Sequence, residues 1–188
     1  DTVDVQACTE AGILVVNQAG GNANSVAEHT FALMLALMRR IVESDSRLKA
    51  DRGFVREDLM GHELAGKVLG IMGIGHIGTR VAQLGTSFGM HVVACDPYLD
   101  EETVRARGAT PTSLEELLAS SDVVSLHCPR NAETAGMFDR RAFQRMKPGA
   151  LFISTARGGI HDEAALCAAL EAGHLGGAGL DVWVVEPP

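Results

Sequence analysis

Apolar residues in this chain follow two rhythms. Short unbroken runs recur at Ile13-Leu14-Val15-Val16, Val68 to Met72, Val92-Val93-Ala94-Cys95, Asp122-Val123-Val124-Ser125-Leu126, Ala150 to Ser154 and Ala178 to Val182. Runs without alternation predict strands covered on both faces. Between them, apolar positions return every three or four residues, as in the stripe Ile77, Val81, Leu84 and Phe88, which predicts a helix facing the core. Asp1 to Ala11 reads as a turn and short helix ended by Gly12, and Asn17 to Asn24 as a Gly/Asn-rich loop. Ser25 and Glu28 form an S-x-x-E capping box that predicts the start of a long helical pattern reaching about Lys49. Its middle, Phe31 to Met38, is apolar on every face and must be covered from more than one side. Either two layers of its own domain or a partner subunit would do so. Asp51 to Met60 reads as a linker or frayed helix. From Leu64 onward strands and helices alternate. Asp100 caps a short helix ending at Gly108, Ser113 and Glu116 form a second capping box, and Leu114, Leu117 and Leu118 follow into the core. Phe143 and Met146 lie on a helix stopping before Pro148, and Asp162 to Ala172 is a helix with Gly173 past its end. Such alternation predicts an α/β fold, a parallel sheet with helices on both faces.

The stretch Val68 to Asp96 adds chemistry to this pattern. A strand leads into Gly73-Ile74-Gly75-His76-Ile77-Gly78, a helix follows, and a second strand stops at Asp96, 21 residues after Gly75. Gly73 permits the tight turn, Gly75 lets the backbone approach a pyrophosphate, and Gly78 lets the helix pack close to the strand. The helix N-terminus turns free N–H groups and a partial positive charge toward the phosphates. Together these predict a doubly wound, Rossmann-type domain that binds a dinucleotide. A carboxylate at Asp96 suits the paired ribose hydroxyls of NAD and repels the extra phosphate of NADP. Pro97, Tyr98 and Leu99 offer no cation to neutralise that phosphate, so the expected cofactor is NAD.

Ligands of such sheets bind at the carboxyl ends of the strands. Asp96, His127, Thr155 with Arg157, and Asp181 all fall there and should share one rim. Arg157 sits in the open turn Thr155-Ala156-Arg157-Gly158-Gly159, where its guanidinium can hold a carboxylate by two parallel hydrogen bonds. It can equally be a surface arginine paired with Asp162 or Glu163. Asp181 either accepts from the carboxamide of a nicotinamide or caps a neighbouring turn. Glu186 either orients and charges a histidine or is an exposed acid.

The formal net charge of −8 argues against nucleic acid, and no basic cluster exceeds Arg39-Arg40 or Arg140-Arg141. Cys8, Cys95, Cys128 and Cys167 lack C-x-x-C spacing. They predict neither a metal site nor a disulfide framework, and hence a cytoplasmic setting. The longest unbroken apolar run is too short to cross a membrane, and no signal peptide is evident.

The glycine fingerprint with Asp96, the T-A-R-G-G turn, the run Gly179-Leu180-Asp181-Val182 and Glu186-Pro187-Pro188 resemble the D-isomer-specific 2-hydroxyacid dehydrogenases. Gly21 to Glu28 also resembles that family's segment leading into its long interdomain helix. The resemblance spans essentially the whole chain. It implies residues 1–24 as a remnant of the substrate-binding lobe, 25–60 as the interdomain and dimerisation helix with a linker, and 61–188 as the NAD-binding domain. Arg157 then holds the carboxylate of a small 2-hydroxy or 2-oxo acid and polarises its carbonyl, while Glu186 partners the catalytic histidine. The backbone of His76 and Ile77 cradles pyrophosphate; His127, Cys128 and Pro129 form the turn beside the adenosine; Thr155 and Ala156 belong to the cofactor turn; and Asp181 meets the carboxamide. A homodimer through the helix beginning near Ser25 is implied as well. In that family the acid–base histidine follows the glutamate further along the chain, so the sequence reads as a fragment that binds NAD(H) without turning over substrate. His161, four residues after Arg157, is a weak substitute, and His29, His62, His91 and His174 are poorer still. An NAD-sensing corepressor on the same scaffold is the alternative to an enzyme. The pattern of a short-chain dehydrogenase fails, because the single tyrosine, Tyr98, has Glu102 rather than Lys four residues later.

Overall fold

Six parallel strands form one sheet in the computed structural model, which describes residues 3–50 and 55–186. They are β1 (Val68–Met72), β2 (His91–Cys95), β3 (Thr110–Pro111), β4 (Val123–Leu126), β5 (Leu151–Ser154) and β6 (Gly177–Leu180). Their order across the sheet is β3-β2-β1-β4-β5-β6. The chain winds outward from β1 in one direction, then returns beside β1 and winds outward in the other. The doubly wound α/β reading therefore holds, and the reversal opens a crevice above β1 and β4.

The helices are α1 (Val5–Glu10), α2 (Ala23–Met38), α3 (Ile41–Lys49), α4 (His76–Ser87), α5 (Glu101–Ala106), α6 (Leu114–Ser120), α7 (Arg140–Arg145) and α8 (Glu163–Glu171), with a 3₁₀ turn at Arg56–Leu59. One face of the sheet is covered by α2 and α4, where Phe31, Met34, Leu69, Ile71, Val81, Val123 and Ile153 pack together. On the other face α6, α7 and α8 enclose Leu117, Val124, Leu126, Phe138, Phe143 and Phe152. Successive residues of β4 point to opposite faces, so an unbroken apolar run is what a strand with two cores requires. Each fully buried side chain of this size contributes roughly 1.5–3 kcal/mol. Below the sheet Asp122 ties the strand starts together, accepting from the Val68 amide at 2.8 Å and from Lys147 Nζ at 2.6 Å.

Four expectations need correction. Ile13 to Val16 is not a strand: it is irregular, and Leu14 and Val16 are 86% and 78% exposed. It pairs with none of the described strands, and a strand without a ladder partner has nothing to hold it extended. Ser25 does not cap the long helix, because α2 starts at Ala23 with Asn22 as N-cap and no side-chain cap bond. The helical pattern does not run unbroken to Lys49. It breaks at Arg39–Arg40, where Arg40 is left-handed at φ 52° and its guanidinium is held by Glu43 and the Asp58 carbonyl. The His62 amide then closes the end of α2 by donating to the Met38 carbonyl at 2.8 Å. Phe88 is not core: it lies past the end of α4, 40% exposed, stacked on Phe31 at 5.2 Å between ring centres.

The short helix near the start is capped by Asp4, which accepts from the Ala7 amide. The capping box at Ser113 and Glu116 forms in both directions, Asp100 caps α5 as expected, and Asp162 caps α8. The two-residue β3 carried no apolar run to announce it. Residues 1–2, part of the expected linker (51–54) and Pro187-Pro188 lie outside the described residues. Among the described residues no helix is long and apolar enough to cross a membrane.

Candidate functional site

The glycine turn is built by close approaches. Gly73 follows β1 at φ +87°, a conformation that side chains disfavour, and a Cβ there would stand 2.8 Å from the Cys128 amide nitrogen. A Cβ on Gly78 would stand 2.2 Å from the Gly73 carbonyl oxygen, so α4 sits as near β1 as backbone allows. Gly75 differs. It is the N-cap of α4, has no side-chain cap, and a Cβ on it would meet nothing within 4 Å. The amides of His76, Ile77 and Gly78 begin the helix and have no carbonyl one turn earlier within it. Open space thus lies in front of a helix N-terminus, a combination that fits a dinucleotide's pyrophosphate.

Asp96 is fixed beside this turn. Its Oδ2 accepts from the Ile74 amide at 3.0 Å and its Oδ1 from the Tyr98 amide at 3.1 Å. The carboxylate is thereby oriented at the carboxyl end of β2, where a ribose would need an acceptor. Arg107, well outside the stretch that suggested the acid's role, donates to the Ile74 carbonyl at 2.6 Å.

A cavity of about 460 Å³ opens over the switch point, lined by Asn17, Ala19, His76, Ile77, His127, Cys128, Pro129, Arg130, Thr155, Ala156 and Arg157. Its wall is neutral where β4 ends. Burial pushes His127 down to about 3, and its Nε2 lies 2.8 Å from the Ser125 hydroxyl. Burial likewise raises the Cys128 thiol, so this cysteine stays protonated. At the end of β5, Thr155 is buried with its hydroxyl 3.1 Å from that of Thr30. Thr30 already donates to the Val26 carbonyl, so Thr155 is the donor and Thr30 the acceptor.

A second cavity, about 760 Å³, is lined by Arg130, Asn131, Ala135, Arg157, Gly158, Val182, Trp183, Val184 and Glu186. Arg157 borders both spaces. The glycine beside it explains the arrangement: a Cβ on Gly158 would stand 1.8 Å from the Trp183 carbonyl oxygen. Only glycine lets residues 183–184 cross the T-A-R-G-G turn and bring Glu186 to the same cavity. Glu186 accepts from the Trp183 amide at 3.0 Å, and Arg157 donates to the Ala156 carbonyl at 2.7 Å. The two acids suggested as ordinary partners for Arg157 have other bonds. Asp162 accepts from the Ala165 amide and Glu163 from the Val184 amide.

Asp181 stands just past β6, its amide bonded to the Ser154 carbonyl at 3.0 Å and its Oδ1 3.4 Å from His29 Nε2. His161, by contrast, is sealed in the core against Phe152, with ring centres 5.3 Å apart and neither ring nitrogen bonded; burial lowers its pKa. His174 bonds the Phe143 carbonyl. Among the described residues no group of three or more His, Cys, Asp or Glu is placed to hold a metal ion.

Asn17, Ala19, Arg130 and Thr30 border or brace the site without a motif to mark them, and so does His29, which the sequence offers only as a poor substitute for the catalytic histidine. Arg130 had a signal, since it follows the end of β4 by four residues and the rim rule extends to it. The others come from a loop and helix that precede the fingerprint, and only the tertiary fold brings them over the sheet.

Residues 31–188 match the family model described as D-isomer specific 2-hydroxyacid dehydrogenase, NAD binding domain. The chain is 44% identical over 188 residues to D-3-phosphoglycerate dehydrogenase of Bacillus subtilis, covering all of this chain and 36% of that protein. Its fold is similar to that of D-lactate dehydrogenase from Aquifex aeolicus, crystallised with NAD and lactic acid: TM-score 0.88, 40% identity, 98% of this chain and 55% of that one. It is also similar to a glyoxylate reductase from Paecilomyes thermophila: TM-score 0.86, 37% identity, all of this chain and 57% of that one. The chain spans about a third of the length of the curated relatives it matches.

Proposed function

Because this chain belongs to the D-isomer-specific 2-hydroxyacid dehydrogenases, as an NAD-binding domain of that family, we propose that it serves an enzyme moving a hydride between a nicotinamide and a small D-2-hydroxy or 2-oxo acid. The observation that carries the proposal is the position of Arg157, on the border between the cavity at the glycine turn and the cavity holding Glu186. NAD supplies the hydride acceptor and donor. The amides of His76 and Ile77 would hold its pyrophosphate, Asp96 its ribose and Asp181 its carboxamide. His127, Cys128 and Pro129 would flank the adenosine, and the Thr155-Ala156 backbone would border the cofactor. Arg157 would grip the substrate carboxylate through two N–H groups, fixing the 2-carbon and drawing electrons from its carbonyl. Glu186 would orient and charge an acid–base histidine.

Residues 1–24 would belong to a substrate-binding lobe and 25–60 to an interdomain and dimerisation segment. Ile41, Val42 and Leu48 are exposed on α3, which supports a homodimer through this region.

Two measurements test the proposal. Fluorescence titration of the 188-residue chain with NADH should show saturable binding, with no turnover of hydroxypyruvate or glyoxylate. In a protein that joins this domain to a substrate-binding lobe and an acid–base histidine, Arg157→Lys should raise KM for 2-oxo acids about ten- to a hundredfold, since one of two charge-assisted bonds and the planar fork are lost. A folded chain that binds no NADH overturns the assignment. A longer protein that binds NADH and reduces no 2-oxo acid favours the corepressor alternative.

A further inference from the structure

The helix that precedes the fingerprint touches the site in register with the last strand. A Cβ on Gly177 would stand 3.2 Å from a Leu37 methyl, and one on Gly179 would stand 2.9 Å from the Leu33 Cβ. Two residues further along β6, Asp181 meets His29. Each step of two along the strand, about 6.6 Å, thus answers a step of four back along the helix, about 6 Å. The two glycines remove the side chains that would push α2 away, and the close approach delivers the imidazole of His29 to the carboxylate of Asp181. One turn of the same helix also supplies Thr30, whose hydroxyl receives that of Thr155 in the buried interface.

We infer that His29 is a positioning residue for the nicotinamide end of the cofactor, acting through Asp181. This rests on the proposed NAD-binding mode, in which Asp181 accepts from the carboxamide. An aspartate past the end of a strand and half exposed, as this one is at 52%, has free rotamers. Contact with His29 holds Oδ1 toward α2, 3.4 Å from Nε2, and leaves Oδ2 as the acceptor facing away from the helix contact. Binding then need not order the carboxylate, and the amide half of the nicotinamide meets an acceptor already in place. The pyrophosphate and ribose contacts arise from α4 and β2, whereas the ion-pair partner of His29 lies past β6, so its influence falls on one end of the ligand.

Calorimetry with two probes separates this role from a structural one. NADH carries the nicotinamide and ADP-ribose lacks it, while both carry the pyrophosphate and adenosine. His29→Ala should weaken NADH about three- to fivefold, the upper range for one partly exposed ion-pair contact, and leave ADP-ribose within about twofold. His29→Gln, which keeps a donor near the position of Nε2, should lose less than His29→Ala. Asp181→Asn should lose as much NADH affinity as His29→Ala or more, and the double variant should lose less than the sum of the two. Equal weakening of both ligands by His29→Ala, or weakening of neither, overturns the inference while leaving the cofactor reading intact. A folded wild-type chain that binds neither ligand overturns both.

Discussion

Ile13-Leu14-Val15-Val16 and Val123-Val124-Ser125-Leu126 are near equals on paper, and only the second is a strand. The second run has β1 on one side and β5 on the other, and its side chains enter two cores. The first has no ladder among the described residues and displays its side chains to solvent. A second pair repeats the lesson. Ser113-Leu-Glu-Glu116 forms a reciprocal capping box, whereas the S-x-x-E at Ser25 and Glu28 falls inside the first turns of α2 and caps nothing. Local pattern states what a segment can do; neighbouring backbone decides whether it does.

The largest effect should come from the core beside the second run. Phe152→Ala, which empties the centre of the Phe138, Phe143 and Phe152 cluster, should cost about 3–5 kcal/mol in urea unfolding. Leu14→Ala, the same kind of truncation in the exposed run, should stay within about 0.5 kcal/mol. A large loss from Leu14→Ala would mean that the first run has a covering surface after all.

Acid should separate the two runs next. The covered run leads into His127, which burial holds neutral down to about pH 3, and His161 is shifted in the same direction. In the unfolded chain these imidazoles take up protons near their ordinary 6.5, so the unfolded state binds more protons between those limits. Stability should be complete above pH 6.5 and fall as pH drops toward 3, by on the order of a few kcal/mol. His127→Gln should flatten the upper part of that decline in thermal melts across pH 4–7. An unchanged slope would show that the ring is not held neutral by its surroundings.

The smallest effect belongs to the two serines. Ser113→Ala should cost about 1 kcal/mol, the usual loss of an N-cap, and Ser25→Ala should fall within about 0.5 kcal/mol. Equal losses would erase the distinction between the boxes.

These pairs also explain how far the sequence could be read. The glycine fingerprint, Asp96 and the strands from Val68 onward other than β3 were legible because each strand's partners lie within the chain and each turn residue has a local steric reason. The convergence of Arg157 and Glu186 on one cavity was legible only through resemblance, since the two are separated by a helix and a strand. The placing of Asn17, Ala19, His29 and Thr30 was not legible at all. It depends on the packing of α2 against β6, a contact between segments some 140 residues apart whose signal is only the two glycines of that strand. Thr110-Pro111 escaped for a related reason, as two residues carry no period.

The crossing of residues 183–184 over Gly158 constrains how this binding surface can diversify. With the Trp183 carbonyl oxygen 1.8 Å from where a methyl would begin, that junction admits no side chain and hence no variation. Relatives built on this scaffold must vary their contacts elsewhere. The walls open to change are the loop bearing Asn17 and Ala19 and the segment from Arg130 to Ala135, and a designer seeking altered selectivity should begin there.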